Sequence, residues 1–218
     1  PFLYKKQPFS TKSKDVLYSI DNKNIIGPFD DKILEIDELG IPGEHNLQNF
    51  LAASTCSHLM GISQNQIVKS MKEFKGVEHR LEYVRTINET DYINDSKATN
   101  IDSVIVAINT YKQPIVLILG GFNKGANFRL LLPHIKSSHV RDIVSYGDAG
   151  GQINTALGDA VRSVQVTDLS SAVKKAQLMA APGDIVLLSP GCASYDEFSN
   201  FEERGNHFKS IIKNLAAS

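Results

Sequence analysis

The chain has 218 residues, enough for one large domain or for one domain with a piece of another, and its 42% hydrophobic content suits a packed core rather than a disordered tail. Its 23 basic residues are balanced by 24 acidic ones, so there is no excess charge for a polyanion and nucleic acid is excluded as the expected partner. No apolar run approaches the roughly 18 residues that cross a bilayer, and no signal-peptide pattern opens the chain. Cys56 and Cys192 stand far apart without metal-type spacing and read as reduced thiols, so a soluble, cytoplasmic protein is expected.

Pro1, Phe2, Leu3 and Tyr4 open the chain without a helix or strand start signal, which suggests a chain cut from a longer one. Short strands are predicted over 15–20, 24–27 and 32–36, with polar turn residues such as Asp21-Asn22-Lys23-Asn24 between them. They are too short to be stable without a sheet to join. Gly40, Pro42 and Gly43 then break the chain. Leu47, Phe50, Leu51 and Ser54 recur at helical spacing and predict a helix over 46–60 with Asn46 as its N-cap. A second helix is predicted from the cap Ser63 to about Phe74, closed by Lys75-Gly76. A domain boundary is expected near Gly76, dividing the chain into 1–76 and 77–218.

Beyond it the pattern alternates. Strands are predicted over 81–87 and 91–93 around the turn Asn88-Glu89-Thr90, then a helix over 100–111 and an apolar strand over 114–119. A helix over 128–135, a strand over 142–146, a helix over 151–157 and a strand over 161–166 follow. A helix over 169–179, a strand over 184–188 and a helix over 204–215 complete the chain. Repeated βα units with continuously apolar strands predict an α/β, Rossmann-like domain: a mostly parallel sheet with helices on both faces. Its ligands are expected at the carboxyl ends of the strands.

Four of those ends carry polar or glycine-rich clusters: Asn94-Asp95-Ser96-Lys97, Gly120-Gly121-Phe122-Asn123-Lys124-Gly125, Gly147-Asp148 and Ser189-Pro190-Gly191-Cys192-Ala193-Ser194. Glycines and asparagines there can simply make turns, and lysines are most often solvated surface groups. Lys97 and Lys124 on one rim could also bind carboxylates or phosphates. Asp95, two residues before Lys97, would share its side if the strand continues, and could accept from ribose hydroxyls or pair with a lysine. Asn46 and Asn49 could pair with a purine edge, although the cap explains Asn46 fully. Cys192 and His207 lack an orienting acid for a thiol nucleophile. His, Cys and acidic residues form no metal-ligand pattern, so no metal site is expected within the chain, and no G-x-x-x-x-G-K-[ST] phosphate loop occurs.

These segments resemble the Mur ligase family, which includes folylpolyglutamate synthetase-like enzymes. The likeness is carried by Gly43-Glu44-His45-Asn46-Leu47-Gln48-Asn49, by Gly76-Val77-Glu78-His79-Arg80-Leu81-Glu82, and by Asn94-Asp95-Ser96-Lys97-Ala98-Thr99-Asn100. The Gly120-Gly121 loop with Lys124 adds to it, as does the stretch from Leu188 through Ser194 and Phe198 to Asn200-Phe201-Glu202-Glu203-Arg204-Gly205. The Asn94–Asn100 run and the Ser189–Ser194 stretch are similar to members that add D-glutamate. The Asp-Asn-Pro-Arg selector of members adding a diamino acid is absent.

The resemblance implies the end of a central ATP-binding domain in 1–76 and a whole C-terminal ligase domain in 77–218. The uridine-nucleotide site, the phosphate loop and the Mg2+ ligands would lie elsewhere, leaving this chain inactive alone. The implied reaction is amide formation between UDP-N-acetylmuramoyl-L-alanine and D-glutamate, driven by ATP through an acyl phosphate, in a monomer serving peptidoglycan synthesis. Carried over by position, Asn46 and Asn49 would face adenine, Asp95 would take the ribose hydroxyls and Arg80 would lie near the phosphates. Lys97 and Lys124 are the implied catalytic pair, with Thr99, Lys124, Ser194 and the backbone at Phe201 holding D-glutamate. One departure stands out: acidic residues often flank the loop lysine, whereas Phe122, Asn123 and Asn127 stand here. A hinge near Lys75-Gly76 would suit a domain that swings about the nucleotide. A non-catalytic nucleotide-binding module on the same fold, or a sister ligase for another amino acid, are the alternative readings.

Overall fold

A computed structural model describes residues 9–12, 16–41 and 43–215. Residues 1–4, Asp15 and Pro42 of the preceding reading lie outside them. The chain forms two compact units that part between Gly76 and Val77.

In the first unit, β1 (Phe9–Ser10), β2 (Tyr18–Asp21), β3 (Asn24–Ile26) and β4 (Lys32–Glu35) form one sheet in that order, antiparallel except for β1 beside β2. Tyr18, Ile25 and Leu34 bury one face of it against α1 (Glu44–Leu59) and α2 (Gln64–Glu73), through Leu47, Phe50, Leu51, Ile67 and Met71. The Ser63 cap forms as predicted: its hydroxyl and amide both donate to Gln66 Oε1. Asn46, by contrast, is not a cap. Gly43 enters α1 at φ 106°, a conformation that suits glycine, and the helix begins at Glu44. Asn46 is thus its third residue and stands one turn from Asn49.

The second unit holds a six-stranded sheet. Its strands are β5 (Glu82–Ile87), β6 (Thr90–Asn94), β7 (Ile115–Gly120), β8 (Val140–Tyr146), β9 (Arg162–Gln165) and β10 (Ile185–Gly191), ordered β5-β6-β10-β7-β8-β9. Only β5 runs antiparallel to its neighbour. Alternate residues of the central strands feed opposite faces, so a continuously apolar strand serves two cores. Ile115, Leu117 and Leu119 pack with α3 (Ile101–Thr110) and α5 (Gly150–Leu157), whereas Val116 and Ile118 pack with α6 (Leu169–Met179) and α7 (Phe201–Asn214).

Two predicted helices differ from what forms. The stretch 128–135 is a 3-10 turn at Phe128–Leu131 followed by the short α4 (Leu132–Ser137), because Pro133 has no N–H to continue the ladder. The last helix starts at Phe201 rather than Arg204, since Asn200 Oδ1 accepts from Glu203 N and caps it.

The buried Leu117 belongs to the first of these cores, with no exposed surface. Leu117→Ala should lower stability by about 2–5 kcal/mol, read as a fall in the urea midpoint. An unchanged midpoint would contradict the packing described.

Candidate functional site

Chain order places α3 between β6 and β7, but β10 lies between those two strands in space. The direction of winding therefore reverses there, and the loops leaving β6, β10 and β7 sit side by side at the carboxyl edge. Doubly wound sheets open a crevice at such a point. Asp95, Lys97 and Thr99 follow β6, Lys124 follows β7, and Ser194 and Phe201 follow β10.

Backbone contacts clamp these loops together. Asp95 N donates to Leu188 O (2.8 Å) and Gly191 N to Ala98 O (2.9 Å). Phe122 N donates to Ala193 O (2.9 Å), and Ala193 N returns a bond to Phe122 O (3.1 Å). Gly121, at φ 120°, permits this approach: a Cβ there would collide with Ala193 O.

A buried guanidinium reinforces the clamp. Arg204, wholly buried, donates from Nε to Ser96 Oγ (2.9 Å), from Nη2 to Ser96 O (2.8 Å) and from Nη1 to Cys192 O (3.0 Å). Ser96 Oγ in turn donates to Phe201 O (2.8 Å). The same arginine thus ties the β6 loop, the β10 loop and the first turn of α7. Sequence reasoning passed over it as the start of the last helix. The signal was present in the cap: with Asn200 as N-cap, Arg204 falls one turn inside and can point back.

Asp95 does not share its exposure with Lys97 as an extended strand would require. β6 ends at Asn94 and the chain turns, Ala98 N donating to Asp95 O, so Asp95 is buried and Lys97 exposed. Its Oδ1 accepts from Leu81 N (3.2 Å) and its Oδ2 from Ser189 Oγ (2.8 Å). Burial pushes the Asp95 carboxyl up to about 7, against the downward pull of those bonds and of the Arg80 charge. Arg80 itself is exposed, held between His79 and Leu81, both at positive φ.

Lys97 donates its backbone N–H to His79 O (3.0 Å), and its Nζ lies 5.6 Å from the centroid of the Phe201 ring. Lys124 Nζ lies 5.1 Å from the Tyr195 ring centroid. Neither ammonium is in an ion pair among the described residues, so both charges stay uncompensated at the rim. Asn123, where an acidic residue was the resemblance's expectation, shapes the loop: its Oδ1 accepts from Gly125 N (2.9 Å) and Ala126 N (2.7 Å), and its Nδ2 donates to Gln152 Oε1 (2.7 Å). Asn127 caps the 3-10 turn through Arg129 N.

Thr99 is exposed and Ser194 is buried, the Ser194 carbonyl receiving Glu197 N (3.2 Å) and Phe198 N (2.8 Å). Asn46 and Asn49 belong to the other unit. Burial raises the Cys192 thiol to about 12, and His207 Nε2 is bonded to Ser170 Oγ (2.8 Å), so no thiolate nucleophile forms from them.

A family model described as Mur ligase, glutamate ligase domain matches residues 79–192, just over half of the chain. The chain belongs to the Mur ligase family. It is similar, at 46% identity over 82% of its length, to UDP-N-acetylmuramoylalanine--D-glutamate ligase of Pelotomaculum thermopropionicum, covering 40% of that relative. The enzyme of the same name from Staphylococcus saprophyticus is 42% identical over 95% of the chain, which covers 46% of it. The chain thus spans less than half the length of these curated relatives. Among solved structures, the UDP-N-acetylmuramate-alanine ligase of Thermotoga maritima matches 92% of the chain and 47% of its own, with a TM-score of 0.65 at 16% identity. A folylpolyglutamate synthase of Mycobacterium tuberculosis matches 94% of the chain and 49% of its own, with a TM-score of 0.64 at 13% identity. These likenesses concern the Mur ligase fold.

Two outcomes follow from the geometry. Arg204→Met strands Ser96 O and Cys192 O and should cost about 2–5 kcal/mol in a urea titration; full stability in the variant would contradict the clamp. For Asp95, a folded value above the unfolded one of about 3.9 means that the native state holds a proton the unfolded chain has lost. Stability from this group is full below about pH 4 and falls as pH rises toward about 7. The parent's denaturation midpoint should therefore drop between about pH 4 and 7 more than that of Asp95→Asn. Equal drops would contradict an elevated carboxyl.

Proposed function

We propose that this chain is the C-terminal portion of an ATP-dependent ligase that joins D-glutamate to UDP-N-acetylmuramoyl-L-alanine in peptidoglycan synthesis. The observation that carries this reading is the gathering of Lys97, Thr99, Lys124, Ser194 and the first turn of α7 on one rim, in a member of a ligase family. The D-glutamate ligases named above support the amino acid.

An amide is made here by first activating a carboxylate, and ATP supplies the phosphoryl group. The amine of D-glutamate then attacks the acyl carbon and phosphate leaves. Both partners are anionic, so holding them together requires fixed positive charge and directed donors. Lys124 offers the charge for a D-glutamate carboxylate, and the hydroxyls of Thr99 and Ser194 offer directional hydrogen bonds. Phe201 N, the first amide of α7, has no partner among the described residues and adds a donor at the positive end of a helix dipole. Lys97, on the neighbouring loop, is assigned to the reacting groups, where its charge offsets that of the transferring phosphoryl.

Within its own unit, α1 presents Asn46 and Asn49 one turn apart, an arrangement suited to the donors and acceptors of adenine. Asp95 is assigned to the ribose hydroxyls and Arg80 to the phosphates. The Asp95 carboxyl must be ionised to accept both hydroxyls, and its raised value makes this a pH-dependent contact. No three His, Cys, Asp or Glu side chains gather for a metal ion among the described residues. Mg2+ is assigned, with the phosphate loop, to the remainder of the enzyme, where one or two carboxylates would hold it together with the nucleotide phosphates. No described helix is long and apolar enough to cross a membrane.

The test is phosphate release by the full-length parent with UDP-N-acetylmuramoyl-L-alanine and a panel of amino acids. D-Glutamate-dependent release is expected, and Lys124→Ala should raise the KM for D-glutamate about tenfold to a hundredfold, the loss of one charge-assisted contact. Release with a different amino acid would overturn the specificity; release with none would favour a binding module.

A further inference from the structure

Lys124 is held in a way that nothing in the proposed reaction requires. Its loop carries asparagines where acidic residues could have paired with it, and no carboxylate reaches its Nζ among the described residues. The group that does face it is the ring of Tyr195, with the ammonium 5.1 Å from the centroid, inside the range where the ring's negative face attracts a cation. The side chain of Tyr195 has no other hydrogen bond or ring contact among the described residues, with 61% of the residue exposed.

The two backbones are fixed relative to each other. The paired bonds between Phe122 and Ala193 lock the loops two residues before each member of the pair, Lys124 and Tyr195. On the Tyr195 side, the bonds from Glu197 N and Phe198 N to Ser194 O close a tight turn around it. A ring so anchored limits where the long lysine side chain can swing, without neutralising it as a carboxylate would.

Resting on the ligase reading, we propose that Tyr195 is a positioning residue for the D-glutamate subsite, seating the Lys124 ammonium beside Ser194 in its charged, unpaired form. A lysine already ordered loses less side-chain freedom when a carboxylate arrives, and an attraction to a ring survives the pairing.

The test compares Tyr195→Phe and Tyr195→Leu in the full-length parent enzyme, with kcat and the KM values for D-glutamate and ATP. Tyr195→Leu should raise the KM for D-glutamate about two- to fivefold, the fold-change that an exposed cation–ring contact makes, with kcat and the KM for ATP unchanged. Tyr195→Phe keeps the ring and should stay near the parent. An unchanged KM in Tyr195→Leu overturns the proposal, as does an equal rise in both variants, which would indicate the hydroxyl instead. A fall in kcat with unchanged KM also overturns it. These outcomes are separable from failure of the ligase reading, which would appear as no D-glutamate-dependent phosphate release from the parent itself. The exposed position predicts an unchanged unfolding midpoint in both variants, and a lowered one would assign a KM effect to folding and overturn the proposal.

Discussion

A buried guanidinium with no carboxylate partner among the described residues holds the strand-end loops of the second unit in place. Arg204 sits with no exposed surface and spends its donors on Ser96 and Cys192, while Ser96 carries the connection on to Phe201. Burying such a charge costs several kcal/mol unless good hydrogen bonds replace its water. Here the acceptors are two backbone carbonyls and a hydroxyl, all neutral. The loops from β6 and β10 cannot part without stranding those acceptors, and the Phe122–Ala193 pair joins the β7 loop to the same frame.

From that frame follows the electrostatic character of the rim. Lys97 and Lys124 face aromatic rings, not carboxylates, and the nearby Asp95 is buried with its proton held to higher pH than usual. The result is a cluster of available positive charge beside directional donors. An amide-forming ligase that must gather anions has a use for such a cluster, and membership of the Mur ligase family supports that use. The aromatic seats matter because a cation over a ring remains free to pair with an arriving carboxylate, whereas one in a salt bridge must first leave it.

Much of the fold was legible in the chain. Continuous apolar runs such as 114–119 announced strands buried on both faces, and Ser63 announced its helix through a cap. What failed were decisions made by single residues. Gly43, Asn200 and Pro133 shifted or broke helices whose hydrophobic spacing alone said otherwise. The parallel strands could be counted but their order could not, and it is the insertion of β10 between β6 and β7 that brings the three loops together. Motifs identified the candidate residues, yet nothing in spacing revealed that Asp95 turns inward, that Arg204 reaches back, or that Tyr195 lies under Lys124. Those are contacts between loops up to about a hundred residues apart in sequence, as the Arg204–Ser96 separation of 108 illustrates.

The central claim is that these three loops form the amino-acid subsite. A crystal structure of the full-length parent with D-glutamate and nucleotide tests it most directly. The account predicts the D-glutamate carboxylates within hydrogen-bonding reach, about 2.7–3.2 Å, of Lys124 Nζ and the Thr99 or Ser194 hydroxyls. D-Glutamate bound away from the carboxyl edge of β6, β7 and β10 would contradict it.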